Sequence, residues 1–177
     1  MKETGIVRRI DELGRVVIPK EIRKTMRIKE GDPLEIFTDR ETLLLKKYSP
    51  VAAIEDTVKT VVESLYSVTE MNAVICNTDG VVAVKGKSAK DLINKSLSEE
   101  LLKVIEERKA VICDGNTAGN VVLTRDGDRF SKQIIVPIVS DGDALGAVIV
   151  GDEKDGAIDV GYLKMAMLAA DFIARQS

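Results

Sequence analysis

Thr4-Gly-Ile-Val-Arg-Arg-Ile-Asp-Glu-Leu-Gly-Arg-Val-Val-Ile-Pro-Lys-Glu-Ile-Arg-Lys-Thr-Met-Arg-Ile28 decides the reading of this chain. Extended to Lys29, the stretch carries eight cations (Arg8, Arg9, Arg15, Lys20, Arg23, Lys24, Arg27 and Lys29) against three acids, Asp11, Glu12 and Glu21. The 177-residue chain as a whole has a formal net charge of -3. A concentrated cationic surface on an acidic chain points to a polyanionic partner, because the net charge alone would repel one.

Gly5 to Ile10 reads as a strand, with Ile6, Val7 and Ile10 apolar. Asp11 to Gly14 supplies turn chemistry, Gly14 being free to take positive φ. Arg15 to Ile18 is short and β-branched, a second strand. Pro19 suits the first helical position, where a missing N–H costs nothing, and Lys20 to Arg27 reads as a helix. At about 100° per residue, Ile22 and Met26 share one face while Lys20, Arg23, Lys24 and Arg27 occupy the opposite arc. Leu34 to Thr38 and Leu43 to Lys47 are strands around an Asp39 to Thr42 turn.

Charge divides the chain. Residues 1–50 carry twelve cations and nine anions, and residues 51–177 carry fourteen and twenty, so the two parts face different partners. A module of about 50 residues rarely buries enough apolar surface to fold alone. This one has neither metal ligands nor a nearby cysteine pair, which leaves association as the route to stability.

Residues 2–50, with GIVRRIDELGRVVIPKEIRKTMRI, GDPLEIF and LLLKKYSP, resemble the AbrB-type swapped-hairpin DNA-binding domain of bacterial transition-state regulators. The family motif D-E-L-G-R-V-V-I-P stands here unchanged from Asp11 to Pro19. The resemblance implies a dimer in which two copies interleave strands into one barrel. It also implies duplex contacts from positions matching Arg8, Arg15, Arg23 and Lys24. Lysine at 24 keeps a phosphate contact but lacks the guanidinium fork usual there. With Arg9, Lys20 and Arg27 from the same array, these residues form the expected DNA-binding set, and two-fold protein symmetry suits duplex DNA.

Beyond Tyr48-Ser49-Pro50, the residues Ile54, Val58, Val61, Leu65 and Val68 mark a helix whose seam either covers a sheet or zips against a second copy. Ala73 to Asn77, Thr78-Asp79-Gly80 and Val81 to Lys85 predict a hairpin. Ser98 caps a helix running to Arg108, and Ala110 to Cys113 and Asn120 to Thr124 read as short strands. Gln133 to Val139, Asp141-Gly142 and Ala144 to Gly151 predict the strongest hairpin, its second strand central and Pro137 marking a bulge or edge in the first. Ile158 to Arg175 is a closing helix with Leu163, Ala166, Met167, Ala170 and Ile173 on one face. This order, and QIIVPIVSDGDALGAVIVGD in particular, resembles a GAF-type sensor domain. Such a fold implies a ligand pocket under a covering segment, here Asp114 to Arg129, in which Gly115, Gly119 and Gly127 read as turn residues, as does Gly142 in the hairpin.

Histidine is absent, which removes His-based acid–base chemistry and His-ligated zinc. Cys76 and Cys113 sit in apolar surroundings as small core residues. No phosphate-binding glycine loop, cofactor motif or metal spacing is present, and no apolar segment approaches a membrane span or a signal peptide.

The expectation is an N-terminal, β-dominated swapped-hairpin barrel, dimeric through residues 1–50. It is followed over residues 51–177 by an α+β GAF-like domain with an antiparallel sheet. The expected function is a cytoplasmic, nucleoid-associated regulator of the sporulation and transition-state type, activator or repressor. It binds double-stranded DNA, with the second domain sensing a small molecule or assembling a homotetramer; no cofactor or metal is called for. A second reading is the antidote component of a toxin–antidote pair. A third, an enzyme using Cys113 and Asp114, lacks a histidine base.

Overall fold

The structure is a computed structural model and describes residues 4–87, 89–114, 120–154 and 158–177. Backbone packing separates the chain into two units, Met1–Tyr48 and Ser49–Ser177.

In the first unit, residues 5–18 run extended around a turn. The Asp11 amide donates to the Arg15 carbonyl at 3.1 Å, and the Gly14 amide to the Asp11 carbonyl at 3.0 Å, with Gly14 at φ +75°. The two strands expected at 5–10 and 15–18 do not form a ladder. Their backbone finds no strand to pair with in a single chain, and Val7, Ile10, Leu13 and Val17 stand mostly exposed.

Helix α1, Lys20–Met26, starts after Pro19, whose carbonyl accepts from the Arg23 amide at 2.9 Å. It ends at Arg27 in the left-handed region (φ 52°), with the Ile28 amide reaching back to the Arg23 carbonyl at 2.8 Å. That pattern closes the last turn, here on an arginine where glycine is usual. Strands β1 (Leu34–Asp39) and β2 (Thr42–Lys47) form an antiparallel hairpin in the register Ile36↔Leu45, Phe37↔Leu44. Both of its faces are apolar and open. Among the described residues up to Tyr48, Pro19 alone is buried.

The second unit is built on a five-stranded antiparallel sheet. The strands are β3 (Asn72–Asn77), β4 (Val81–Lys85), β5 (Val111–Cys113), β6 (Lys132–Ser140) and β7 (Asp143–Asp152), in the order β4-β3-β7-β6-β5. The apolar run of β7 is explained by that central place: alternate residues serve two cores. On one face Ala73, Ile75, Ile134, Val136, Val148 and Val150 meet helices α2 (Pro50–Ala53), α3 (Glu55–Thr69) and α5 (Val160–Gln176). On the other, Val74, Cys76, Ile135, Ala147 and Ile149 meet helix α4 (Glu99–Glu107) and the segments around it.

Details follow from local chemistry. Asp141 and Gly142 both take positive φ, the two-residue hairpin turn that an Asp-Gly pair favours. Ser98 caps α4, accepting from the Leu101 amide at 3.0 Å. Pro137 lies past the end of β5, which pairs only with residues 133–135, so the missing N–H faces no neighbour there.

Three expectations need correction. Asn120 to Thr124 is no strand beyond a single bridge at Thr124. Side chains take part of its backbone instead: the Glu100 carboxylate accepts from the Val122 amide at 2.9 Å, and the Gln133 amide donates to the Val121 carbonyl at 2.9 Å, while Leu123 bonds the Ser98 and Asp128 backbone. In α3 Val58 and Leu65 face inward as expected, joined by Val62, with Ile54 and Val61 packed half-buried against the same core; the seam covers the sheet, and Val68, 62% exposed, is not part of it. In α5 the inward face is Ala166, Ala169, Ala170, Ile173 and Ala174; Met167 points out. Close approach of helix to sheet selects the small side chains.

Candidate nucleic-acid interface

The extended arm places Arg8 and Arg9 in solvent, and the Arg8 guanidinium donates to the Val7 carbonyl at 3.2 Å. Helix α1 exposes Lys20, Arg23 and Lys24. Arg23 and Lys24 lie in its last turn, where the helix dipole favours positive charge. Glu21 forms no ion pair with any of them among the described residues, so the stripe keeps its charge. Arg27 differs from the rest. It is half-buried at the helix end, and its carbonyl accepts from the Lys47 ammonium at 3.4 Å. Asp32 joins the same corner, accepting from the Lys29 amide at 2.9 Å and lying 3.7 Å from Lys47. The hairpin thereby anchors the end of α1.

Arg15 is exposed but not loose. Asp11 accepts from the Leu13 and Arg15 amides through Oδ1, at 3.0 and 2.8 Å, and from Arg15 Nε through Oδ2 at 2.8 Å. The Arg15 amide, then its guanidinium, hold the Asp11 carboxyl below the usual aspartate range. Asp11 was absent from the residues expected at the site. Its signal was legible, an aspartate opening a turn four residues before an arginine.

The described residues of the second unit offer no comparable array. Of its expected covering segment, residues 115–119, including Gly115 and Gly119, lie outside the described residues. Beneath the rest, Leu97, Leu101, Leu123 and Phe130 fill the sheet face. The Lys95 ammonium, 2.8 Å from Asp128, ties the segment down. A cleft of about 740 Å³ lies on the other side of the sheet, where Lys87 and Lys132 mix with Glu70 and Asp152 between Tyr66 and Tyr162. Cys76 and Cys113 are both buried. No three His, Cys, Asp or Glu side chains gather as a metal site among the described residues, and no described helix is long and apolar enough to cross a membrane.

Comparison with known proteins follows the same division. Residues 53–177 match the family model described as stage V sporulation protein T C-terminal, transcription factor. Residues 7–53 match that of antidote-toxin recognition MazE, bacterial antitoxin. Over 99% of its length the chain is 45% identical to stage V sporulation protein T of Bacillus subtilis (strain 168), covering 98% of that protein. Its first part is 64% identical over 50 residues to the transition state regulatory protein AbrB of the same organism, 28% of this chain and 52% of that one. Among solved structures, the GAF domain of an Acinetobacter phosphoenolpyruvate-protein phosphotransferase shares the fold of the second unit. Its TM-score is 0.58 at 12% identity, covering 74% of this chain and 83% of that one.

Proposed function

Because the chain belongs to the stage V sporulation protein T family of transcription factors, we propose that it seats residues 1–50 on duplex DNA as a homodimer. Arg8, Arg9, Arg15, Lys20, Arg23, Lys24 and Arg27 form the contact set. One observation carries this reading: a unit with a single buried residue among those described exposes an apolar hairpin and a cationic arm and helix together. The apolar surface needs a second copy to cover it; the charge needs a polyanion. Phosphate attraction then supplies most of the affinity, and forked arginine contacts with DNA deformability supply the sequence choice. Lys24 acts as a point charge on phosphate. Residues 51–177 assemble dimers into a tetramer or respond to a small molecule, and the protein works in the cytoplasm on the nucleoid.

The antidote reading draws on the match over residues 7–53. Against it stand the two packed cores of the second unit, where an antidote carries a short flexible tail, and the likeness across the whole chain to a sporulation protein. Fluorescence anisotropy of the full chain on duplex DNA tests the proposal. Arg15→Ala or Arg23→Ala should each weaken binding about tenfold or more without changing the oligomeric state. Log affinity should fall steeply with log salt as counterions are released. Unchanged affinity, or a flat salt titration, would reject the assignment.

A further inference from the structure

We propose that Asp11 is a positioning residue for Arg15, fixing its guanidinium so that the two η nitrogens present a preset fork to a base edge. The inference rests on the DNA-binding reading above and deepens it. A single carboxylate makes three hydrogen bonds here. Oδ1 closes the turn on the Leu13 and Arg15 amides, and Oδ2 takes Arg15 Nε at 2.8 Å. Nε is the one guanidinium nitrogen not needed for a bidentate contact with guanine O6 and N7, which uses the η pair. Those η nitrogens have no partner among the described residues, and the Arg15 side chain is 70% exposed. The neighbouring acid of the same turn, Glu12, makes no ion pair among the described residues. The orientation therefore comes from Asp11 alone.

Charge strengthens the case. A carboxylate beside a phosphate-binding array repels DNA wherever the only attraction is electrostatic. Its presence weakens indiscriminate binding and is offset only where Arg15 finds a base it can grip. Asp11 thus trades general affinity for discrimination.

The test uses the full chain and its Asp11→Asn, Arg15→Ala and doubly substituted forms. Binding is measured on two duplexes, one selected by the native protein from a random pool and one of scrambled sequence. Asparagine keeps the Oδ1 acceptor, so the turn persists; Asp11→Ser, which closes the turn through a hydroxyl, replaces it should Asp11→Asn unfold. The expected result is a preference for the selected duplex reduced about tenfold. Affinity for the scrambled duplex should be held or raised, with a salt slope steeper by about one. In the Arg15→Ala background, Asp11→Asn should cause no further loss of preference, while affinity for both duplexes is held or raised. Three outcomes overturn the proposal: an unchanged preference, an equal loss on both duplexes, or a further loss of preference in the Arg15→Ala background. Failure of the native chain to bind any duplex overturns the DNA-binding reading itself, and this one with it.

Discussion

Gly146 on β7 lies so close to Cys76 on β3 that a methyl group on its Cα would overlap the Cys76 carbonyl oxygen and sit 2.9 Å from the Asn77 Cα. Both obstacles are backbone, held by the ladder between central strands, so neither can swing aside. Gly146→Ala should therefore destabilise the second unit by about 3 kcal/mol, the upper end of overpacking costs. Gly142→Ala meets no neighbour and suffers only its φ of +87°, a strain of about 1 kcal/mol. Thermal melts of the two variants give the order, and an equal or reversed order would remove the steric argument.

Cys76 itself makes a second test. It is fully buried, and burial pushes its thiol up to about 12; the side chain donates to the Ala147 carbonyl at 3.6 Å. The thiolate, which is the reactive form, is therefore suppressed in the native state. Alkylation at pH 8 should reach Cys76 only at the rate of unfolding and become immediate in denaturant. The linkage has a definite sign. The folded thiol holds its proton more tightly than the unfolded one, so the stability it contributes is complete below pH 9.0 and lost as pH rises toward 12. Cys76→Ala, measured by melts between pH 8 and 11, should flatten that decline.

Asp128 sets the opposite limb. Burial alone would raise its carboxyl, but hydrogen bonds from Lys95 and Thr124 outweigh that and hold it below the usual value of 3.8. Its contribution is therefore present above pH 3.8 and disappears as pH falls through the lower folded value. Asp128→Asn should leave the melting point less sensitive to pH below 3.8, while lowering it at neutral pH. The side chain ties its own turn at Thr124 to Lys95, so native-state hydrogen exchange should rise first at Leu123, whose amide donates to the Asp128 carbonyl at 2.7 Å. A variant with the native acid limb and unchanged exchange would leave the ion pair without a structural role.

Legibility in the sequence followed the range of the interactions involved. The Asp141-Gly142 turn, the central place of β7 and the Ser98 cap were readable because each depends on neighbours along the chain. Asn120 to Thr124 misled because its partners, Glu100 and Gln133, are distant side chains and not a strand. Periodicity gave the face of α5 correctly at Ala166, Ala170 and Ile173 but set Met167 inside. Ala169 and Ala174 hold the wall instead, since contact with the sheet rewards small size over hydrophobicity. The cations were visible as a cluster, and the turn chemistry of Asp11 four residues before Arg15 was legible too, but which oxygen takes Nε depends on the folded turn. Arg27 looked like one more member of the stripe, and the left-handed turn that half-buries it is not a property of composition.

Phe37 and Leu44 are directly opposed on one face and Ile36 and Leu45 on the other, and all four remain 38–62% exposed. A hairpin greasy on both sides is unstable in water by itself. If a second copy buries these residues, a charge placed among them must be desolvated at the interface. Leu44→Glu should then raise the dimer dissociation constant about a hundredfold. Sedimentation equilibrium of the full chain measures it, with Arg23→Ala as the control that loses DNA binding but keeps its mass. Should Leu44→Glu associate as tightly as the native chain, the apolar hairpin faces are not the contact and the dimer must be held elsewhere. Should it fall apart and still bind DNA with the native salt dependence, the two-fold arrangement is not what presents the cations to the duplex.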